Sequence, residues 1–297
     1  MSDVVLFERE PSMARLYVRA FAPRLQHRGH SRQLPRLGAE RRNVLIAPDK
    51  LSAYRRICHL DDDGVLPLMY PQVLAFGLQL ALLAHPAFPL APMGIIHQRN
   101  HVLGHRPVGV QESVDLRCLI GETRVVKSGL EFDVTTVMMV GGEGVWEGVS
   151  VYLSRGAYGE ADAPSPLSQM EELGAVDHES SWRVAPDTGR RYARISGDLN
   201  PIHLATPLAW LFGFRRAIAH GMWCASRCLT ELPSLPKGHA LRYDVAFKGP
   251  VFAGKSVVLK AATSKDRHRF DLFCAGNPRP VIKGALRSEP SSAALMS

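Results

Sequence analysis

Cysteine is scarce in this 297-residue sequence: there are five, an odd number, and no two show CxxC spacing. That pattern indicates neither a disulfide framework nor a zinc knuckle. Cys224 and Cys228 stand four apart, where one helix face would bury both as small hydrophobes. No apolar run approaches the roughly 18–20 residues that span a bilayer. The longest, 73–84, is broken by Gly77 and Gln79. The stretch 1–21 carries acids early and lacks an uninterrupted apolar segment, so it does not read as a secretory signal. A soluble, cytoplasmic protein is expected. GxSxG is absent, which removes a nucleophile elbow. Aromatics are 7% of the chain and are not interleaved with its basic residues, so the net charge of +8 does not point to nucleic acid. His97, His101 and His105 are four apart, but in a strand-like stretch with no carboxylate or cysteine joining them, and no metal is expected there.

What is present is ordinary in bulk, with 46% hydrophobic and 22% charged residues. The charge is uneven: residues 1–42 hold nine Arg, no Lys and four acids, with Pro11, Pro23 and Pro35, and read as a solvated, partly irregular extension. Val44–Ala47 reads as a short strand. Pro48–Cys58 has apolar positions at 51, 54 and 57 behind a Pro-Asp start, a short helix. Residues 73–84 are apolar on nearly every side and predict a helix buried all round. From Ile95 to Leu153 β-branched runs alternate with turn residues, with strands expected at 108–114, 114–120, 130–140 and 145–153. Gly141-Gly142-Glu143-Gly144 lies between two of them and is a hairpin turn, not a phosphate loop.

The chain then repeats itself. Ala47-Pro48-Asp49 with Tyr54, Arg56, Ile57 and Cys58 returns at an offset of 138 as Ala185-Pro186-Asp187 with Tyr192, Arg194, Ile195 and Ser196. Later matches keep the order, such as Phe132-Asp133 with Phe270-Asp271. A tandem duplication follows: an extension at 1–42, a first unit at 43–156, an Ala/Pro/Ser-rich linker at 157–181, a second unit at 182–290 and a tail at 291–297. A nearly all-apolar helix needs cover on every side, so each unit is expected to wrap a curved antiparallel sheet round it, an α+β architecture.

The copies differ in one place. The second has about a dozen more residues before its buried helix, and among them are Asp198, Asn200 and His203. At the 138 offset, Leu60 and Val65 stand where Asp198 and His203 do. Asp and His five apart, in a turn with Gly197 and Pro201, can converge on one water and move its protons, with Asn200 orienting the pair. Ser-Gly-Asp-Leu-Asn-Pro is also good turn sequence in its own right. Gly221 falls at the start of the buried helix, where an unpartnered N–H and the helix dipole suit an oxyanion. Beside it, His220 reads more readily as a packed histidine than as a ligand.

Tyr192–Ala209, YARISGDLNPIHLATPLA, followed by GFRRAIAHGM, resembles the hydratase-2 signature of the MaoC-like family. The likeness covers the second half and its FKGPVFAGK strand, and the first half is similar to the degenerate partner of two-domain members. The resemblance implies a double hot-dog fold and reversible hydration of trans-2-enoyl-CoA to (3R)-hydroxyacyl-CoA. It casts Asp198 and His203 as the water-activating pair, Asn200 as their support and the Gly221 N–H as the oxyanion donor. It implies an acyl-CoA thioester as partner and requires no cofactor or metal. Lys248, Arg215, Arg216 and Lys283 are candidates for the CoA phosphates by location. Carrier-protein thioesters, and thioester binding without turnover, are the alternatives. A homodimer is compatible with either.

Overall fold

The computed structural model describes residues 3–22, 32–161, 164, 172–235 and 240–289; the expected tail at 291–297 and much of the linker lie outside them. The first half runs β2 (Leu37–Val44), α2 (Pro48–Cys58), α3 (Tyr70–Leu83), β3 (Ile95–Gly104), β4 (Val114–Val126), β5 (Gly129–Val140) and β6 (Glu143–Arg155). The second runs β7 (His178–Arg183), α4 (Thr188–Ser196), α5 (Pro201–Leu204), α6 (Thr206–Trp210), α7 (Gly221–Thr230), β8 (Ala240–Phe247), β9 (Ser256–Thr263), β10 (Arg267–Cys274) and β11 (Ile282–Glu289). Ahead of both come β1 (Asp3–Leu6) and α1 (Met13–Phe21).

All the strands form one sheet in the order β1-β2-β4-β5-β6-β3-β8-β11-β10-β9-β7. Without β1, the left half reads β2-β4-β5-β6-β3 and the right half, from its far edge, β7-β9-β10-β11-β8. The strand order of one copy is therefore that of the other, and the two meet where β3 pairs antiparallel with β8, Arg99 opposite Ala246 and Gly104 opposite Leu241. This is the double hot dog that the resemblance implies. A division into units at 43–156 and 182–290 joined by 157–181 stays our proposal, with the equivalent strands β2 and β7 starting at 37 and 178, ahead of the proposed units.

A single hydrophobic core runs through both halves and covers α3 and α7. The duplicated tyrosines Tyr54 and Tyr192 meet in it, ring centroids 6.3 Å apart. The halves are also clasped by hydrogen bonds: Tyr54 Oη lies 2.6 Å from Ser226 Oγ, and Trp223 Nε1 donates to the Ile57 carbonyl at 2.9 Å. Helix α3 is less uniformly apolar inside than expected. Gln72 and Gln79 are both buried on it, with Gln79 Nε2 donating to Gln72 Oε1 and Thr136 Oγ1 at 2.9 Å each. These amides are tolerated there because they satisfy one another and the sheet hydroxyls.

Three local expectations are corrected. Residues 1–42 are not simply an irregular extension: they hold β1, α1 and the start of β2, because α1 has an apolar face (Leu16, Ala20) that docks on Leu80 of α3 and on Ala84, the residue that ends it. The stretch 108–113 holds no strand, only an isolated bridge at Gly109, and β4 begins at Val114; the strand ahead of it is β3 at 95–104. Two of the four-spaced histidines do have carboxylates, brought from distant strands: His101 Nδ1 lies 2.7 Å from Asp244 Oδ1, and His105 Nε2 2.8 Å from Glu147 Oε1. His97 packs between Tyr152 and Phe247, at ring distances of 4.7 and 5.1 Å. The three therefore face different partners and form no ligand cluster. All five cysteines are buried and free.

Candidate active site

The extra residues of the second copy form the candidate site. Helix α4 stops at Gly197, which takes the left-handed conformation (φ 77°) that a residue without Cβ adopts at little cost. The Ser196 hydroxyl accepts from the Asp198 N–H at 3.1 Å, and Asp198 Oδ1 in turn accepts from the Asn200 N–H at 3.1 Å. Asn200 then caps α5, its Oδ1 taking the Ile202 N–H at 3.4 Å with Pro201 in the first turn. Ser-Gly-Asp-Leu-Asn-Pro is thus a turn, and the turn is what aims Asp198 and His203. Gly189 of α4 lets α5 come close: a Cβ there would lie 1.9 Å from the His203 carbonyl oxygen.

His203 Nδ1 lies 2.9 Å from the Ile218 carbonyl, which can only accept. Nδ1 therefore carries the proton, and Nε2 is left with its lone pair free to act as a base. His220, the residue before α7, stacks on His203 with centroids 3.7 Å apart and planes 27° apart. Its Nε2–H donates to the Asp198 main-chain carbonyl at 3.0 Å, fixing the turn from above. It is 2% exposed. Burial lowers the pKa of both histidines, His220 to about 3, so both are neutral at neutral pH. Burial pushes the Asp198 carboxyl up, but His220, His203, the Asn200 N–H and the Tyr17 hydroxyl together outweigh it and hold it below the usual carboxylate range. The resting site is an ionised carboxylate beside a neutral imidazole.

Asp198, His203 and His220 each place one ligand-capable atom within 4.8 Å of the others. Such a span suits one water bridging carboxylate and imidazole. It suits a metal poorly, because stacked rings send their in-plane lone pairs side by side and two ring nitrogens are already committed to carbonyls.

Gly221 is the first residue of α7, so its N–H has no helical carbonyl behind it. A Cβ at Gly221 would sit 3.0 Å from Phe247 Cε1, leaving glycine as the residue that fits beside that ring. The four basic candidates are not brought together. Lys283 pairs with Asp271 at 3.9 Å, and Lys248, which is exposed, also acts on that carboxyl. Arg215 and Arg216 lie exposed between α6 and α7, Arg216 beside Gly254.

Sequence reading missed Tyr17. Its hydroxyl, from α1, donates to Asp198 Oδ1 at 3.2 Å and accepts the Leu199 N–H at 2.6 Å. The available signal was the spacing of Met13, Leu16, Tyr17 and Ala20, three and four apart, which marks one face of a helix.

The MaoC like domain model matches residues 170–276. A curated relative, the 3-hydroxyacyl-thioester dehydratase X of Mycobacterium tuberculosis, is 33% identical over 243 residues, 82% of this chain and 86% of its own. A crystal structure of HtdX from the same organism superposes with a TM-score of 0.72 at 30% identity, covering 85% of this chain and all of that one. A second M. tuberculosis protein, described as having a double hotdog fold, is alike in fold alone, with a TM-score of 0.55 at 14% identity and 84% and 93% of the two chains covered.

Proposed function

Because this chain belongs to the MaoC-like dehydratase family and is a hydro-lyase of 3-hydroxyacyl thioesters, we propose that it interconverts trans-2-enoyl-CoA and (3R)-hydroxyacyl-CoA at Asp198 and His203. The observation that carries the proposal is the pairing of an ionised carboxylate with a neutral imidazole whose Nε2 is unprotonated, within one water's span. In the hydration direction the water is held between Asp198 and His203. His203 Nε2 takes one proton while the oxygen bonds to C3, and the C2–C3 π pair moves toward the thioester carbonyl. The Gly221 N–H, at the positive end of α7, receives the charge that develops on that carbonyl oxygen. The carbonyl re-forms as C2 takes the proton from His203, so water's atoms are all accounted for and both residues return to their resting states. Asn200 supports the pair through its main-chain N–H to Asp198 and its cap on α5.

Lys248, Lys283, Arg215 and Arg216 remain proposed contacts for the CoA phosphates, with Lys283 the least exposed of the set. Among the described residues, no helix is long and apolar enough to cross a membrane.

The test is incubation with enoyl-CoAs of several chain lengths, following loss of the conjugated alkene and resolving the product on a chiral phase. Asp198→Asn and His203→Gln are each expected to lower kcat by about 10²–10⁴-fold, the usual weight of general acid–base groups. Wild-type kcat in either variant would overturn the assignment. Turnover restricted to carrier-protein thioesters would keep the chemistry and move the substrate.

A further inference from the structure

We infer that Tyr17 is a positioning residue for Asp198, and that the N-terminal helix carrying it is a working part of the site. The inference rests on the reading of Asp198 as the water-binding carboxylate. One phenolic hydroxyl makes two bonds across 181 residues of sequence: it donates to Asp198 Oδ1 at 3.2 Å and accepts the next residue's N–H, that of Leu199, at 2.6 Å. Carboxylate and peptide are thereby pinned to a single atom. Oδ1 also takes the Asn200 N–H at 3.1 Å, so two donors occupy one carboxylate oxygen. Among the described residues Oδ2 has no comparable partner; His220 Nε2 stands 3.8 Å away and donates to the Asp198 carbonyl instead. The carboxylate is thus held by one oxygen and offers the other to water.

The helix is placed to do this without help from Asp198. Leu16 and Ala20 of α1 are buried against Leu80 of α3 and Ala84 at its C-terminal end, in the first half of the chain. One turn before Tyr17, Met13 packs against the Gly197 turn, its Cε 3.3 Å from where a Cβ on Gly197 would lie. Helix α1 therefore ties the central helix of the copy without the acid–base pair to the loop of the copy that has it. Burial and the neighbouring Asp198 charge both keep the phenol protonated, so it stays a donor. The groups whose charge bears on Asp198 come from every element around it: Tyr17 of α1, His97 of β3, Tyr152 of β6, Tyr192 of α4, His203 of α5 and His220 before α7. Of these, Tyr17 is the one with a hydrogen bond to the carboxylate itself.

Tyr17→Phe removes the hydroxyl and keeps the ring, so α1 should stay docked. The expected result is a fall in kcat of about tenfold or more with KM within twofold, since an orienting contact acts on the reacting geometry more than on thioester binding. In an Asp198→Asn background the same change should alter residual kcat less than twofold, because the carboxylate it orients is gone. A parallel cycle of Tyr17→Phe and Asp198→Ala, read by urea denaturation, reports the contact whether or not thioesters turn over. There the midpoint shift caused by Tyr17→Phe should shrink when Asp198 is absent. Wild-type kcat in Tyr17→Phe, or additive midpoint shifts, would overturn the inference. A wild type silent on every thioester would instead fail the reading of the site, and the urea cycle would then decide the contact.

Discussion

The imidazoles of His203 and His220 lie face to face, 3.7 Å between centroids, with each ring anchored to a different main-chain carbonyl. His203 is bound to Ile218 and His220 to Asp198, so the second ring both packs the proposed base and holds the turn that carries the carboxylate. His220→Phe keeps the stack and deletes the bond to the Asp198 carbonyl. We expect kcat to drop about tenfold with KM little changed, by analogy with the cost of small misplacements in an aligned site. Steady-state kinetics on an enoyl-CoA would show it, and unchanged kcat would mean that the ring serves packing alone.

Gly221 lies against the ring of Phe247, which in turn packs on His97 at 5.1 Å. In Gly221→Ala the new methyl meets three ring carbons at 3.0–3.2 Å. The N–H is still present, so any loss comes from displacing it. A fall in kcat of about tenfold or more is expected, and Phe247→Leu in the same chain should recover part of it by making room. No recovery in the double variant would place the fault elsewhere than in this contact.

Acid should weaken both stability and turnover, and the sign follows from the folded-state values. His203 and His220 are held below their ordinary value near 6.5, His220 at about 3, so between those limits the unfolded chain binds more protons than the folded one. Stability from this source is intact above about 6.5 and declines as pH falls toward 3. Asp198, held below the usual carboxylate range, adds stability above about 3.9 that disappears as pH drops through its folded value. Both contributions run the same way. The thermal midpoint should be level from pH 8 to 7 and fall on the acid side, and kcat/KM should keep its plateau until His203 takes a proton below 6.5. His220→Phe should flatten part of the stability loss, and a midpoint that rises with acid would contradict the charge states assigned to the site.

Tyr54 and Ser226 share a buried hydrogen bond of 2.6 Å that links α2 of the first half to α7 of the second. Tyr54→Phe leaves the aromatic contacts with Tyr70 and Tyr192 in place and removes this bond. A loss of about 1–2 kcal/mol is expected, including the cost of leaving the Ser226 oxygen without its donor, equivalent to a shift of roughly 2–8 °C in the thermal midpoint of a chain this size. Calorimetry would measure it. Since Ser226 also donates to the Met222 carbonyl at 3.0 Å, a shift near zero would show that this second bond is enough.

By itself the sequence determined the duplication, the helix at 48–58 to the residue, the buried helices near 70 and 221, and the turn in which Asp198 and His203 stand. These are local matters: periodicity, a Pro-Asp start, a glycine that ends a helix, an asparagine that caps the next. A difference between copies was legible too, since Leu60 and Val65 against Asp198 and His203 is a contrast between two aligned strings. What only the tertiary structure decided is whatever depends on distance across the chain. Tyr17 meets Asp198 over 181 residues, and His101 meets Asp244 over 143, because the fold brings α1 onto α3 and sets β3 beside β8. The tautomer of His203 was equally out of reach, being set by the Ile218 carbonyl that the α5–α7 connection folds back against it. The arginine-rich start of the chain looked like solvated tail because its apolar face is only four residues wide, and a face that narrow gains meaning when a second surface exists for it to cover.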